Sequence, residues 1–299
     1  RNMATKMELR EKRTFNIIGG LIVGIVAVLC LLPFILVVSG SFSSESEIVK
    51  YGYGLLPRKF SLSAYNLVFQ SSDRILIAYR NTIIYTIAGT AIGLFLTAMT
   101  GYVLNRKDFA WRNIFSFFFY FTTLFSGGLV PGYILMISIG MKNNPLVNVI
   151  PALLSVFNIL IMRNFMNSIP DAITESAKVD GANDFVIFVR LILPLLKPAL
   201  ATVGLFLALN YWNSWYSCML YINDYRYFTL QYHLYVLLTK AEEIRRMLEM
   251  GAVISDMETP PAETTKLAMT CVATGPIILL YPFVQRYFVK GITIGAVKG

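Results

Sequence analysis

Residues 175–198, ESAKVDGANDFVIFVRLILPLLKP, carry six charged side chains in a chain that is 56% hydrophobic and only 14% charged. A soluble chain carries about 25% charged residues. On both sides of this segment run apolar stretches long enough to cross a hydrocarbon core of about 30 Å at about 1.5 Å per residue. They fall at about 15–38, 80–104, 113–138, 146–166, 194–217 and 264–289, which predicts an all-α integral membrane protein with six transmembrane helices. The first stretch follows a basic start. It is longer than a signal-peptide core, and no small-residue cleavage site follows it, so it is expected to stay as a span. The charged segment therefore sits between the fourth and fifth spans.

Charge sets the direction of the spans. Fifteen of the 26 Lys/Arg and seven of the 17 Asp/Glu lie in the N-terminal tail, the loop around Arg106, Lys107 and Arg112, residues 163–197 and the C-terminal tail, a net of +8. The opposite loops hold eleven bases and ten acids, a net of +1. The positive-inside rule then predicts both termini and the charged segment in the cytoplasm. It also accounts for the net charge of +9 without nucleic acid.

Within the segment, Pro170 suits the first turn of a helix, and DAITESAKV is a good helix former apart from its β-branched members. Gly181 can adopt the left-handed conformation that ends a helix. Asn183 can cap a second helix, whose apolar Phe185, Phe188, Val189 and Ile192 fall at i, i+3, i+4 and i+7. Pro194 and Pro198 reset the chain before the fifth span. The spacing predicts two short helices joined at a glycine corner across the membrane surface. An interfacial amphipathic turn and a plug for a groove in a soluble partner both fit this pattern.

The remaining chemistry is sparse. Cys30, Cys218 and Cys271 have no close spacing, and His233 is the one histidine, so neither a CxxC pair nor a Cys/His zinc cluster is encoded. No GxxxxGK[ST] loop is present to cradle phosphates. Apart from Arg80 and Arg163 near span ends, the spans lack the internal ionisable residues that an ion-coupled carrier usually shows. His233 is expected on the surface or at an interface. In NYWNSWY, residues 210–216, the amides of Asn210 and Asn213 accompany Tyr211, Trp212, Trp215 and Tyr216. Sugars stack on rings and seek amides, while the same rings suit an interfacial aromatic belt. In LFSGGLVPGY, Gly127, Gly128 and Pro131 interrupt the third span, where the glycines either expose backbone to a ligand or allow close helix packing. The long connections at 39–79 and 218–263 have room for local structure. Thr259, Pro260, Pro261 and Glu263 read as a cap and first turn for the last helix.

The order Glu175-Ser176-Ala177, Gly181, then Ile192-Leu193-Pro194 resembles the EAA loop of ABC importer permeases, with Ser in place of the middle Ala. ESAKVDGA running on to LPLLKP is similar to the carbohydrate-uptake branch typified by the maltose importer. FSGGLVP and the C-terminal YPFVQRYFVKGITIGAVKG are similar to its oligosaccharide permeases, found chiefly in Gram-positive bacteria. The resemblance implies a type I importer permease fold. It divides the chain into a cytoplasmic tail at 1–14, a six-helix domain at 15–289 with a coupling loop at about 167–193, and a cytoplasmic tail at 290–299. It implies a multi-pass subunit of the bacterial cell membrane that catalyses nothing itself and binds no cofactor, ATP and Mg2+ being used by a partner. The implied partners are a related second permease, two cytoplasmic ATPase subunits, an extracellular solute-binding protein, the lipid bilayer and an oligosaccharide. In this reading Glu175 anchors the ATPase, Ser176 and Ala177 permit close approach, Asp180 and Gly181 shape the corner, and Phe185 and Phe188 brace the second helix. The candidate substrate path is Asn210, Tyr211, Trp212, Asn213, Trp215, Gly127 and Gly128. The tyrosines of 218–263 are a candidate docking surface for the solute-binding protein. An importer permease for polyamines or peptides, an ion-coupled carrier and an inert scaffold for the ATPase are the competing readings.

Overall fold

The computed structural model describes residues 2–70, 72–250 and 263–278. Helix follows helix: α1 Asn2–Ser41, α2 Glu45–Tyr51, α3 Ser63–Phe69, α4 Ser72–Asn105, α5 Arg112–Leu124 and α6 Leu129–Ser138. Two 3₁₀ turns lead to α7 Val156–Met166, then α8 Asp171–Val179, α9 Asp184–Ile187, α10 Leu193–Leu195 and α11 Lys197–Trp212. After α12 Tyr216–Tyr221 come α13 Leu230–Glu249 and α14 over 263–278. Among the described residues there is no β-strand, only an isolated bridge between Ser43 and Phe60. The chain divides into two compact units, Arg1–Ser71 with Leu237–Gly275 and Ser72–Val236 with Pro276–Gly299.

Among the described residues, two unbroken helices are long and apolar enough to cross a membrane, Phe15–Ser41 and Asp73–Asn105. The next three expected spans are bent. Arg112–Leu124 and Leu129–Ser138 meet at 116°, Pro145–Ala152 and Val156–Met166 at 44°, and Asp184–Leu195 and Lys197–Trp212 at 86°. The stretch at 113–138 is therefore not a single rod. Its break lies at 125–128, where Gly128 has φ +87°, a conformation that side chains rarely adopt. The fifth apolar helix stops at Trp212 rather than 217. Of the expected sixth span, residues 279–289 lie outside the described residues, as do Thr259–Pro261 and the tail at 290–299.

In the unit at 72–236, α4, α7 and α11 pack around Ala98, Met162, Met166, Ala199, Val203 and Leu207. Apolar burial gains little between helices surrounded by lipid, so close approach of small residues does the work. A Cβ on Gly93 would lie 2.8 Å from the Leu153 carbonyl oxygen, and one on Gly89 would collide with the ring of Tyr211. At the far end of α4 from Asn105, the Asn81 amide donates to the carbonyls of Arg226 (2.7 Å) and Phe228 (3.1 Å). The Leu230 amide donates to the Thr82 hydroxyl at 2.8 Å. His233, expected on the surface or at an interface, is buried on α13.

In the other unit, Glu45 of α2 accepts hydrogen bonds from the amides of Glu263 (2.9 Å) and Thr264 (2.8 Å) and from the Thr264 hydroxyl. A carboxylate there answers the open N–H groups and positive end of α14. Lys266, one turn on, pairs with Glu242 at 2.9 Å.

Candidate functional site: the charged elbow

The segment at 170–195 folds as two short helices meeting at a corner. Pro170 holds extended backbone just before α8. Asp180 ends the helix, its amide bonding the Ser176 carbonyl at 3.0 Å. Gly181 follows at φ +81° with open space around it. The Ala182 amide then reaches back to the Ala177 carbonyl, closing a glycine C-cap. Asn183 caps the next helix, its Oδ1 accepting from the Val186 amide at 2.9 Å. These features follow the sequence expectation.

The second helix does not. After four α-helical residues, Phe188–Ile192 widen into a π turn. The wider turn shifts the phase of the inward face. Ile187, Phe188 and Ile192 are buried, while Val189 is exposed and Phe185 is 61% exposed. Only Phe188 therefore braces the elbow. Its ring stacks on Tyr102 of α4 at 5.3 Å and meets Phe95 edge-on at 5.9 Å.

On α8 the expected contact residues divide between two faces. Ala177 is its one buried side chain and packs into the core, so it seats the helix on its own chain rather than offering a close approach to a partner. The outward face is Ala172, Glu175, Ser176 and Val179, at i, i+3, i+4 and i+7. Val179 is 88% exposed. A bare valine flanked by small side chains and one carboxylate suits a shallow groove that closes over an apolar knob. Val179 lies outside the residues that the EAA resemblance marks, although its spacing from Glu175 and Ser176 puts it on the same face.

A second feature was read from sequence only as a marker of topology. The three residues that follow α4 grip the elbow. Lys107 pairs with Asp171 at 2.5 Å and Asp108 with Lys178 at 2.7 Å, while Arg106 pairs with Asp184 and with Asp108. Hydrogen bonds from Arg106 and Lys178 hold the Asp108 carboxyl well below the usual carboxylate range. The Asp171 carboxylate raises the Lys107 ammonium. A cleft of about 250 Å³ lies between this loop and α8.

The candidate path is only partly open. Asn210, Asn213 and Trp215 are exposed, as are Gly127 and Gly128. Tyr211 and Trp212 are not. Tyr211 is 1% exposed, fills the notch over Gly89, and donates its hydroxyl to the Val149 carbonyl at 2.9 Å. Neither Gly127 nor Gly128 makes a close helix contact among the described residues, where they serve the bend rather than packing. Trp215 continues into a run of rings, 5.1 Å from Tyr235, which lies 6.3 Å from Tyr232. Of the tyrosines in the connection at 218–263, Tyr225 and Tyr235 are exposed, while Tyr221, Tyr227 and Tyr232 pack on the cluster of Val147, Cys218 and Ile222. Among the described residues no group of His, Cys, Asp and Glu is placed to hold a metal ion.

Known proteins are similar to this chain over nearly its whole length. The chain is 39% identical over 274 residues to the polygalacturonan/rhamnogalacturonan transport system permease protein of Bacillus subtilis, covering 91% of this chain and 94% of that one. It is 27% identical to an arabinooligosaccharides transport system permease protein of Halalkalibacterium halodurans, covering 92% and 93%. A crystal structure of a bacterial ABC transporter involved in the import of the acidic polysaccharide alginate matches with a TM-score of 0.75 at 32% identity, over 93% of this chain and 98% of that chain. Residues 89–294, which contain the elbow and the α4–α7–α11 core, match the binding-protein-dependent transport system inner membrane component. The chain belongs to that family, and its fold is that of an ABC importer permease.

Proposed function

We propose that this chain is one of two permease subunits of an ABC importer and that its elbow is the coupling helix gripped by a separate cytoplasmic ATPase. The observation that carries the reading is the outward stripe Ala172-Glu175-Ser176-Val179, held on a corner whose inner side is anchored by Ala177 and Phe188. ATP and Mg2+ belong to the two ATPase subunits. Their closure moves the elbow, and the permease changes access as a rigid body. Converting such an equilibrium from about 1:99 to 99:1 takes roughly 5.5 kcal/mol of differential binding, which nucleotide binding shared by two subunits can supply. Six spans, cytoplasmic termini and an extracellular solute-binding protein complete the assembly. Membership of a binding-protein-dependent family argues against an ion-coupled carrier.

The cargo is a carbohydrate oligomer. Relatives named for galacturonan and arabino-oligosaccharide transport, and a structural neighbour that imports an acidic polysaccharide, support this over polyamine or peptide. The open residues Asn210, Asn213 and Trp215 have the amide and ring chemistry that sugars need. Tyr211 and Trp212 support them from behind.

The test is ATP hydrolysis by the reconstituted complex, screened over acidic and neutral oligosaccharides, polyamines and peptides presented with the solute-binding protein. One oligosaccharide class is expected to stimulate hydrolysis, and stimulation by a polyamine or peptide alone would replace the cargo. Glu175→Lys and Gly181→Val are expected to abolish stimulation while the chain still inserts and its sister permease still binds. The valine adds about 1–2 kcal/mol of strain at a positive φ without a clash. Normal uptake in both variants would remove the elbow from the mechanism.

A further inference from the structure

We propose that Arg106, Lys107 and Asp108 form a charged strap that transmits displacement of the elbow directly to α4, in parallel with the covalent route through α10 into α11. The proposal rests on the elbow being the ATPase docking piece. Its basis is where the ion pairs fall. Lys107 holds Asp171 in the first turn of α8, Asp108 holds Lys178 in the last turn, and Arg106 holds Asp184 at the start of α9. Asp171 and Lys178 are seven residues apart, about 10 Å along the axis. A helix held at one point can pivot, whereas a helix held at both ends, with its neighbour tied as well, moves only together with the part that holds it.

Packing alone does not provide that constraint. Ala177 is the one buried side chain of α8, and a cleft separates the helix from the end of α4. Exposed ion pairs contribute little to stability one at a time. The pairs of Arg106, Asp108, Lys178 and Asp184 form a connected set, however, with Lys107–Asp171 beside it, and Arg106, 18% exposed, grips Asp108 through two nitrogens. Their geometry suits transmission of motion better than stabilisation. The three residues directly continue α4, whose other end is latched to residues 226–230 by Asn81 and Thr82. A pull on the strap therefore reaches the far end of the permease through one continuous helix.

The test uses ATP and vanadate without any transported solute, so it does not depend on the cargo. In the complete complex, with Cys30 and Cys271 replaced by serine, a bimane fluorophore on Arg74→Cys reports the far end of α4. A cysteine at Val179 reports ATPase docking by cross-linking. With the strap intact, ATP and vanadate shift the emission. Asp108→Lys is expected to shrink that shift at least about fivefold, the scale of a modest coupling free energy, while cross-linking at Val179→Cys and basal hydrolysis persist. Asp108→Asn is expected to act in the same direction by less, and the swap Asp108→Lys with Lys178→Asp to recover at least half of the shift. Recovery by the swap separates transmission through the charges from a general loss of structure. A full shift in Asp108→Lys with docking intact would overturn the strap alone. Absence of the Val179 cross-link in the unstrapped and strapped proteins alike would overturn the coupling reading on which it depends.

Discussion

At the scale of single residues, side chains of similar chemistry do different work according to the face they occupy. Ala177 and Ser176 are neighbours and both small, yet one seats the helix and the other is offered outward. Tyr211 and Trp215 lie four residues apart in one aromatic run, and only Trp215 is open. The glycines divide in the same way. Gly93 faces the Leu153 carbonyl so closely that a methyl group cannot enter without moving backbone, whereas Gly132 in α6 has nothing within reach. Gly93→Ala is expected to destabilise the permease by roughly 1–3 kcal/mol as overpacking. Gly132→Ala is expected to be neutral or slightly stabilising. Thermal unfolding of the detergent-solubilised complex checks both, and equal behaviour of the two variants would contradict the packing of α4 on the 150–153 turn.

At the scale of elements, the elbow and its strap show how far local rules reach. Glycine, asparagine and proline set the corner, and local chemistry accounts for each of them. Phe188 and Ile192 of the expected inward face of the second helix are buried, whereas Phe185 and Val189 are exposed, because the 3.6-residue period gives way to a π turn over Phe188–Ile192. The charges raise a further expectation about pH. The Asp108 carboxyl titrates lower in the folded chain than when unfolded. Its contribution is therefore complete above the ordinary carboxylate value of about 4 and is lost as pH falls below it. Asp108 is half exposed, so the contribution is under about 1 kcal/mol. The stability gap between the unaltered chain and Asp108→Asn is expected to hold from neutral down to about pH 5 and to close at lower pH. Thermal unfolding measured across pH tests this, and a gap that widened on acidification would have the wrong sign.

For the whole molecule, charge asymmetry and span order make one joint expectation. Single cysteines in the Cys30- and Cys271-free background at Lys107, Glu175 and Lys298 should react with a membrane-impermeant thiol reagent only in inside-out vesicles. Cysteines at Lys142 and Tyr225 should react only from the opposite side. Reaction of Glu175→Cys and Tyr225→Cys from the same side would invert the topology and leave the elbow out of reach of a cytoplasmic motor. The 116° bend at 112–138 fits either a broken span or a re-entrant loop, and reaction of Lys107→Cys and Lys142→Cys from one side would make that pair re-entrant.

Composition, apolar run length and charge bias were enough to establish a helical membrane protein with a charged elbow between two apolar stretches. Each is a property of a contiguous segment facing lipid or water. The turn chemistry of Gly181 and Asn183 was legible for the same reason, since a cap is made within four residues. The burial of Tyr211 depended on tertiary structure because the notch that receives it belongs to Gly89, more than a hundred residues away. The carboxylate on the first amides of α14 likewise belongs to Glu45, more than two hundred residues away. The use of Arg106, Lys107 and Asp108 as more than topology markers was hidden as well. An ion pair is set by distance in space, and sequence spacing carries no record of which carboxylate a cation will meet.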